Sequence, residues 1–388
     1  MSSCLWTNME IEGATSARTD GRRWSASGVS IDSRKVQPKD IFIAFRGSRV
    51  DGHCYVADAF EKGAAAAIVE RKIDGLSEES PILIVQNVQK ALVQIACLAR
   101  NRSEAEFVAV TGSVGKTSSK NLLAKALAQF DSVHATIGNL NNHIGAPLSL
   151  ARLNGSSRFA VFELGMNNTG EIAFLSNLIR PKVALITNVH GVHLEQLKTE
   201  RAIAEAKSEI FNGLLENGSV VLNQDNPWID FLKSRAEKKG IKNIITFGED
   251  KKSDVQLLEW QSGEGKGFVK IRLNNETHQY VLSETGKHRA LNSVGVLAVV
   301  HALGLNIQHA AQCFKSISTP FGRGGQKNIN LTTGETFCLV DESYNASPVA
   351  MKSAFSVLKS MKPGPGGRKI LVIGDMLELG DDALKLHV

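Results

Sequence analysis

FVAVTGSVGKTSSKNLLAKALAQF, residues 107–130, decides the fold. It opens as an apolar run of strand length, turns through two glycines, and continues with Leu122, Leu123, Ala126 and Leu127 at helical spacing. Strand, glycine turn and helix in that order bring backbone N–H groups and a helix N-terminus to one point, where phosphate can be cradled. Inside it, Thr111-Gly112-Ser113-Val114-Gly115-Lys116-Thr117 adds a lysine and a hydroxyl. Lys116 suits the β- and γ-phosphates of a nucleotide and Thr117 suits magnesium, with Gly112, Ser113, Val114, Gly115 and Ser118 completing the loop. The strict G-x-x-x-x-G-K-[ST] pattern requires glycine at position 110, where this chain has Val110. A glycine turn that merely caps a helix is the competing reading, and GKT in its strand–turn–helix context speaks against it.

Working outward, FAVFELG and KVALITNV read as further strands separated by helix-like stretches, the alternation of an α/β fold with a doubly wound parallel sheet. Before them, IFIAFRG (41–47) and AAIVE (66–70), with a helix-like stretch over 55–62, predict a first α/β unit over residues 1–103 that lacks a phosphate loop. The central unit is expected over 104–319. Its later part alternates apolar and polar residues over 251–284, as a half-exposed sheet does, before a buried helix over 288–303. Residues 320–388 offer a strand TFCLVDES, a helix VAMKSAFSVLKSM, a loop KPGPGGR and a strand KILVIGD. An α/β domain usually needs about 100 residues to cover both faces of its sheet, so the third, Rossmann-like unit is expected to be incomplete.

Composition narrows the class. At 388 residues the chain is too long for one ordinary core, and 43% hydrophobic with 22% charged residues is ordinary globular usage. No apolar run approaches the roughly 18 residues that span a bilayer, and MSSCLWTNME lacks the pattern of a signal peptide, so a cytoplasmic protein is expected. The five cysteines are scattered, without zinc-site or disulfide spacing, and are expected to be buried or incidental thiols. A net charge of +6 favours polyanionic ligands. Against nucleic acid, the densest basic stretch, KSRAEKKGIK, contains glutamate and no aromatic residue and reads as a solvated helix face. Nothing demands more than a monomer.

Three side chains invite a metal reading. Glu163 ends a strand where open α/β sheets put their ligands, although an ordinary strand-end glutamate fits the same position. Lys207, in a helix expected over 202–215, falls four residues after Ile203 and three before Ile210, on the stripe that faces the core. Either it snorkels, or its amine is deprotonated by burial and adds CO2 to become a carbamate able to hold magnesium. His193, in TNVHGVHLEQL, has no signal of its own beyond its neighbours.

The shortened T-G-S-x-G-K-T loop resembles that of the Mur ligase and folylpolyglutamate synthetase superfamily, whose members couple ATP to amide formation. The resemblance runs in order along nearly the whole chain and implies a three-domain architecture, with ATP and two magnesium ions on the central domain. AEAKSEI looks like the segment that carries a carbamylated lysine, here Lys207. His193 matches the imidazole at the second magnesium, and Asn188 a helper that positions phosphate. SIDSRKVQPKD looks like the holder of the UDP end of a sugar nucleotide, through Asp32, Ser33 and Arg34, although D-S-R alone is a common turn. GNLNNHIGAPLSL places Asn141 and Asn142 toward that substrate. GKHRALNSVGVLAV matches a segment whose asparagine, Asn292, binds adenine, where the competing reading is a capping or interior asparagine. Phe321-Gly322-Arg323 matches an arginine linker to ATP phosphate, and Asp341 and Tyr344 in VDESYNASP fall where the family contacts ribose and adjoining groups. DESYNASP and GDMLELG resemble the D-alanyl-D-alanine-adding branch, whose implied substrates are UDP-N-acetylmuramoyl-tripeptide and D-alanyl-D-alanine. Another amide ligase of the superfamily, or a nucleotide-binding fragment without turnover, stays open.

Overall fold

The computed structural model describes residues 4–19, 21–191, 197–263, 266–283, 285–317, 322–379 and 383–387. By internal contacts the chain divides into two compact units, Met1–Glu106 with Thr136–Ala160, and Phe107–Ala135 with Val161–Val388.

The first unit opens with the short antiparallel pair β1 (Trp6–Thr7) and β2 (Ser25–Ala26), with helix α1 (Asn8–Thr15) between them. Its parallel sheet runs β3 (Gly28–Ser30), β4 (Asp40–Ile43), β5 (Ala66–Val69) and β6 (Ile82–Ile84) in spatial order. All four residues of β4 and of β5 are buried, as strands covered on both faces should be, Asp40 being the one polar residue among them. Helix α2 (Val56–Glu61) lays Val56 and Ala59 on Phe42, Ala67 and Val69, and α3 (Val88–Arg102) buries Ala91, Leu92, Ile95, Ala96 and Ala99.

The second unit is built on β7 (Glu106–Thr111), which leads through the phosphate loop into α4 (Lys116–Leu127). There follow β8 (Val133–Ala135), then α5 (Gly145–Ala151) of the first unit, β9 (Phe159–Glu163), α6 (Glu171–Ile179), β10 (Val183–Ile186), α7 (Glu200–Ser208), β11 (Ser219–Asn223), α8 (Ile229–Lys238), β12 (Asn243–Gly248), β13 (Val255–Gly263), β14 (Lys266–Leu273) and β15 (Glu276–Leu282). Among the described residues one sheet runs β15-β14-β13-β12-β11-β10-β7-β9-β8. From β7 the chain crosses to β8 at one edge, returns to β9 beside β7, and then passes to the other side to lay β10, β11 and β12 in turn. The end of β7 is therefore the switch point of the sheet, where an open α/β fold leaves a crevice for ligand. Pairing is parallel from β7 across β10 to β13 and antiparallel through β14 and β15, the half-exposed region expected over 251–284. Helix α9 (Lys287–Ala302) buries Val294, Val296, Leu297, Val299 and Val300, each contributing about 1.5–3 kcal/mol by leaving water.

After α10 (Ile307–Ala311) come a hairpin of β16 (Gly325–Asn330) and β17 (Thr336–Asp341), and α11 (Pro348–Ser360). The expected strand KILVIGD is not formed: among the described residues no strand runs beside it, and Val372 is 91% exposed. Without a neighbour to satisfy its N–H and C=O groups, a β-prone sequence gains no ladder and stays irregular. Of the two readings of the cysteines, buried or incidental, the second fits Cys4, Cys54, Cys97 and Cys338, which are exposed, while Cys313 is half-buried.

Candidate active site

Gly115 turns the chain into α4 with φ 83°, a left-handed conformation that costs a residue with a Cβ about 1–2 kcal/mol. A Cβ there would also lie 2.8 Å from Oδ1 of Asn292, so the α9 asparagine rests directly on the loop. The loop is pinned from the other side by the segment after β10. Ser113 N donates to Asn188 O at 3.0 Å, and Ser113 Oγ donates to His190 O at 2.8 Å while accepting from His190 N at 2.9 Å. Val114 N donates to Asn188 Oδ1 at 3.0 Å, and its carbonyl accepts from Asn188 Nδ2 at 3.1 Å and from Thr187 Oγ1 at 2.6 Å. Asn188 thus acts on the loop backbone, bonding both the N–H and the carbonyl of Val114. Thr187 and His190 were not legible as site residues, because their role is exerted through main-chain atoms of a distant segment.

Lys116 begins α4 and folds back, its Nζ donating to Gly112 O at 2.7 Å and Ser113 O at 3.3 Å. Removal from water lowers its pKa, the Glu163 carboxylate opposes that, and the Arg323 charge adds to it. Lys120, one turn further along α4 and 2% exposed, experiences the same three influences in the same order. Its spacing of four from Lys116 was the available signal, since residues at i and i+4 share a helix face.

Glu163 is 2% exposed at the end of β9, and Thr117 is buried in the first turn of α4. Lys207 is 2% exposed in α7, which ends at Ser208 and passes into a 3-10 turn, Glu209–Gly213, rather than continuing to 215. Burial first, then the neighbouring Lys116 charge, drive its pKa well below the ordinary lysine value. Snorkelling is therefore excluded for this side chain: the amine is held away from water. Glu163, Thr117 and Lys207 are thus all buried, and the Glu163 carboxylate acts to raise the Lys116 pKa while the Lys116 charge acts to lower that of Lys207. Among the described residues there is no cluster of three or more His, Cys, Asp or Glu that could hold a metal. His193 lies outside the described residues, as does Phe321.

Arg323 lies with its guanidinium carbon 4.0 Å from the ring centre of Tyr344. Asp341, at the end of β17, accepts from Ser343 N at 3.0 Å, and hydrogen bonding from Ser343 lowers its pKa. In the first unit, Asp32 accepts from Arg34 Nε and Nη2, both at 2.9 Å, and this pairing lowers the Asp32 pKa. Ser33 is buried and its carbonyl accepts from Lys62 Nζ at 2.8 Å. Asn142 Oδ1 accepts from Gly145 N at 2.8 Å and Ile144 N at 3.2 Å, closing the turn into α5. The stretch holding Asn141 and Asn142 belongs to the same unit as Asp32, tied through Arg152 Nε to Val29 O at 2.6 Å.

A lysine-bearing glycine loop at the switch point of a doubly wound sheet makes this a phosphate-loop nucleotide-binding protein. Residues 110–300 match the Mur ligase middle domain, and residues 25–100 match the Mur ligase family, catalytic domain. The UDP-N-acetylmuramoyl-tripeptide–D-alanyl-D-alanine ligase of Rickettsia prowazekii is 37% identical over 360 residues, covering 92% of this chain and 78% of its own. That of Bacillus subtilis is 35% identical, covering 91% and 74%. Among solved structures, MurF from Acinetobacter baumannii superposes with a TM-score of 0.86 at 30% identity, over 98% of this chain and 82% of its own. MurF ligase from Thermotoga maritima in complex with ADP gives 0.77 at 30% identity, over 93% and 80%. The chain belongs to the Mur ligase family.

Proposed function

We propose that this chain is an ATP-dependent ligase that joins D-alanyl-D-alanine to UDP-N-acetylmuramoyl-tripeptide, giving the pentapeptide, ADP and phosphate. The observation that carries the reading is similarity over more than nine-tenths of the chain to ligases so named, with a phosphate loop braced by Asn188 in support.

A carboxylate resists an amine because its carbonyl is resonance-stabilised and its oxygen is a poor leaving group. The tripeptide carboxylate is activated by attack on the γ-phosphate of ATP, forming an acyl phosphate, and the dipeptide amine then displaces phosphate at the acyl carbon. Backbone N–H groups of residues 112–117 hold the β-phosphate, and Lys116 turns from its own loop carbonyls to the charge growing on the transferred group. Arg323 supplies a second cation there, and Asn292 borders the loop where adenine is bound. Thr117, Glu163 and a carbamylated Lys207 would hold magnesium, with His193 at a second ion, and bound metal would offset phosphate charge. Asp341 and Tyr344 serve the ribose side, and Asp32, Ser33, Arg34, Asn141 and Asn142 the UDP-sugar.

The test is phosphate release from ATP with the UDP-tripeptide, with and without D-alanyl-D-alanine, the products identified by mass. Dipeptide-dependent release with a pentapeptide product is expected. Release driven equally well by single amino acids would assign another amide ligase, and tight nucleotide binding without release would leave a nucleotide-binding fragment.

A further inference from the structure

Arg289 has no part in the roles above, yet its position is unusual. It sits in the first turn of α9, three residues before Asn292, and is 8% exposed. One end of its guanidinium, Nη1, donates to Ser118 Oγ at 2.9 Å, in the first turn of α4. The other, Nη2, donates to the carbonyl oxygen of Arg323. Arg323 stands between Gly322, with φ 72°, and Gly324, with φ 87°. Both glycines take a conformation that other residues adopt at a cost, so this short linker has an unusually large choice of backbone states. A Cβ on Gly324 would lie 3.2 Å from Arg289 Nη2 and 2.8 Å from Glu342 Oε1, so the guanidinium packs straight onto the linker backbone. Arg323 in turn places positive charge near both Lys116 and Lys120, which puts its head group in the phosphate region.

We propose that Arg289 is a positioning residue that couples α4 to the linker and thereby holds the Arg323 guanidinium toward the terminal phosphate of a bound nucleoside triphosphate. The inference rests on reading residues 111–118 as the nucleotide site. The forked guanidinium is what the task requires: two acceptors on segments far apart in sequence are reached by two donors fixed in one plane, which a lysine ammonium on a flexible stem does not reproduce. Fixing one carbonyl between two glycines removes most of the linker's freedom before nucleotide arrives, so binding the γ-phosphate does not bear that ordering cost.

The test compares calorimetric affinity for ADP with that for a β,γ-imido analogue of ATP, in magnesium buffer. Wild type should prefer the triphosphate. Arg289→Ala should lose that preference by about tenfold or more, the worth of a charge-assisted hydrogen bond, while ADP affinity stays within about twofold. Arg323→Ala should behave alike, and the double variant should be no worse than either single, because both substitutions remove one interaction. Additive losses, an ADP affinity that falls in step with the triphosphate, or a wild type that binds both equally would each overturn the proposal. Should Arg289→Ala fail to fold, Arg289→Lys carries the same test, keeping charge and stem while losing the fork. A wild type that discriminates between nucleotides but forms no pentapeptide would defeat the ligase reading and leave this one standing.

Discussion

In the proposed reaction, Lys116 is the residue on which the chemistry leans most. Its ammonium is held by two carbonyls of its own loop, so it is placed before substrate arrives and needs only a short swing to the phosphates. Lys116→Ala should lower kcat by about 10²–10³-fold, as loss of a preorganised electrostatic donor does, with circular dichroism unchanged. Lys207 is a different kind of lysine. Burial and the neighbouring Lys116 charge push its pKa well below the ordinary lysine value, toward the neutral amine that takes up CO2. Protein equilibrated with 13C-bicarbonate should show a carbamate carbon resonance that disappears in Lys207→Gln; persistence of the signal in the variant would assign it elsewhere. His288 reports on stability. Burial, and then the adjoining Arg289 charge, push its pKa down to about 4. The folded imidazole stays neutral while the unfolded one protonates near its ordinary value, about 6.5. Between those two values the unfolded state binds more protons, so the contribution is fully present above about 6.5 and is lost as pH falls toward 4. It amounts to about 3 kcal/mol at most, and His288→Gln should flatten the fall of melting temperature across that window.

The phosphate loop works as an element because two segments share its backbone. Gly115→Ala would set a Cβ against the Asn292 amide and force a left-handed residue, so a loss of about 1–2 kcal/mol in stability and a weaker affinity for ADP are expected together. Asn188→Ala leaves both Val114 backbone groups without their amide partner, though the carbonyl keeps Thr187. The expected cost is about 1–3 kcal/mol, with faster hydrogen exchange confined to the loop. The elements themselves were largely legible: β7, α4, β9, β10 and α9 lie where apolar runs and helical spacing put them. KILVIGD was misread for a physical reason. Its residues have β propensity, but a strand exists only as one side of a ladder, and propensity is silent about the other side. The early end of α7 was hidden likewise, since Ile210 and Phe211 stay buried in the 3-10 turn and keep the apolar pattern of a longer helix.

Over the whole chain, the order of motifs and the sheet's switch point agree. The connections that leave β7 and β10 run toward opposite edges of the sheet, and the loop at the end of β7 carries two glycines, a lysine and a hydroxyl within a few residues. Family membership and the nucleotide site were therefore readable from the chain alone, because a phosphate loop is a local object: its turn, its lysine and its hydroxyl are fixed by spacing within a few residues. What holds that loop is not local. Asn188 meets Val114 across 74 residues, and Arg289 meets Ser118 across 171. No spacing rule announces a contact of that range, since it depends on which strand the sheet sets beside which. The sequence by itself determined the α/β class, the phosphate loop and its chemistry. Only the tertiary structure decided that Lys207 is dry, that Asn188 braces the loop and that Arg289 reaches the Arg323 linker, because burial and long-range hydrogen bonds are properties of packing.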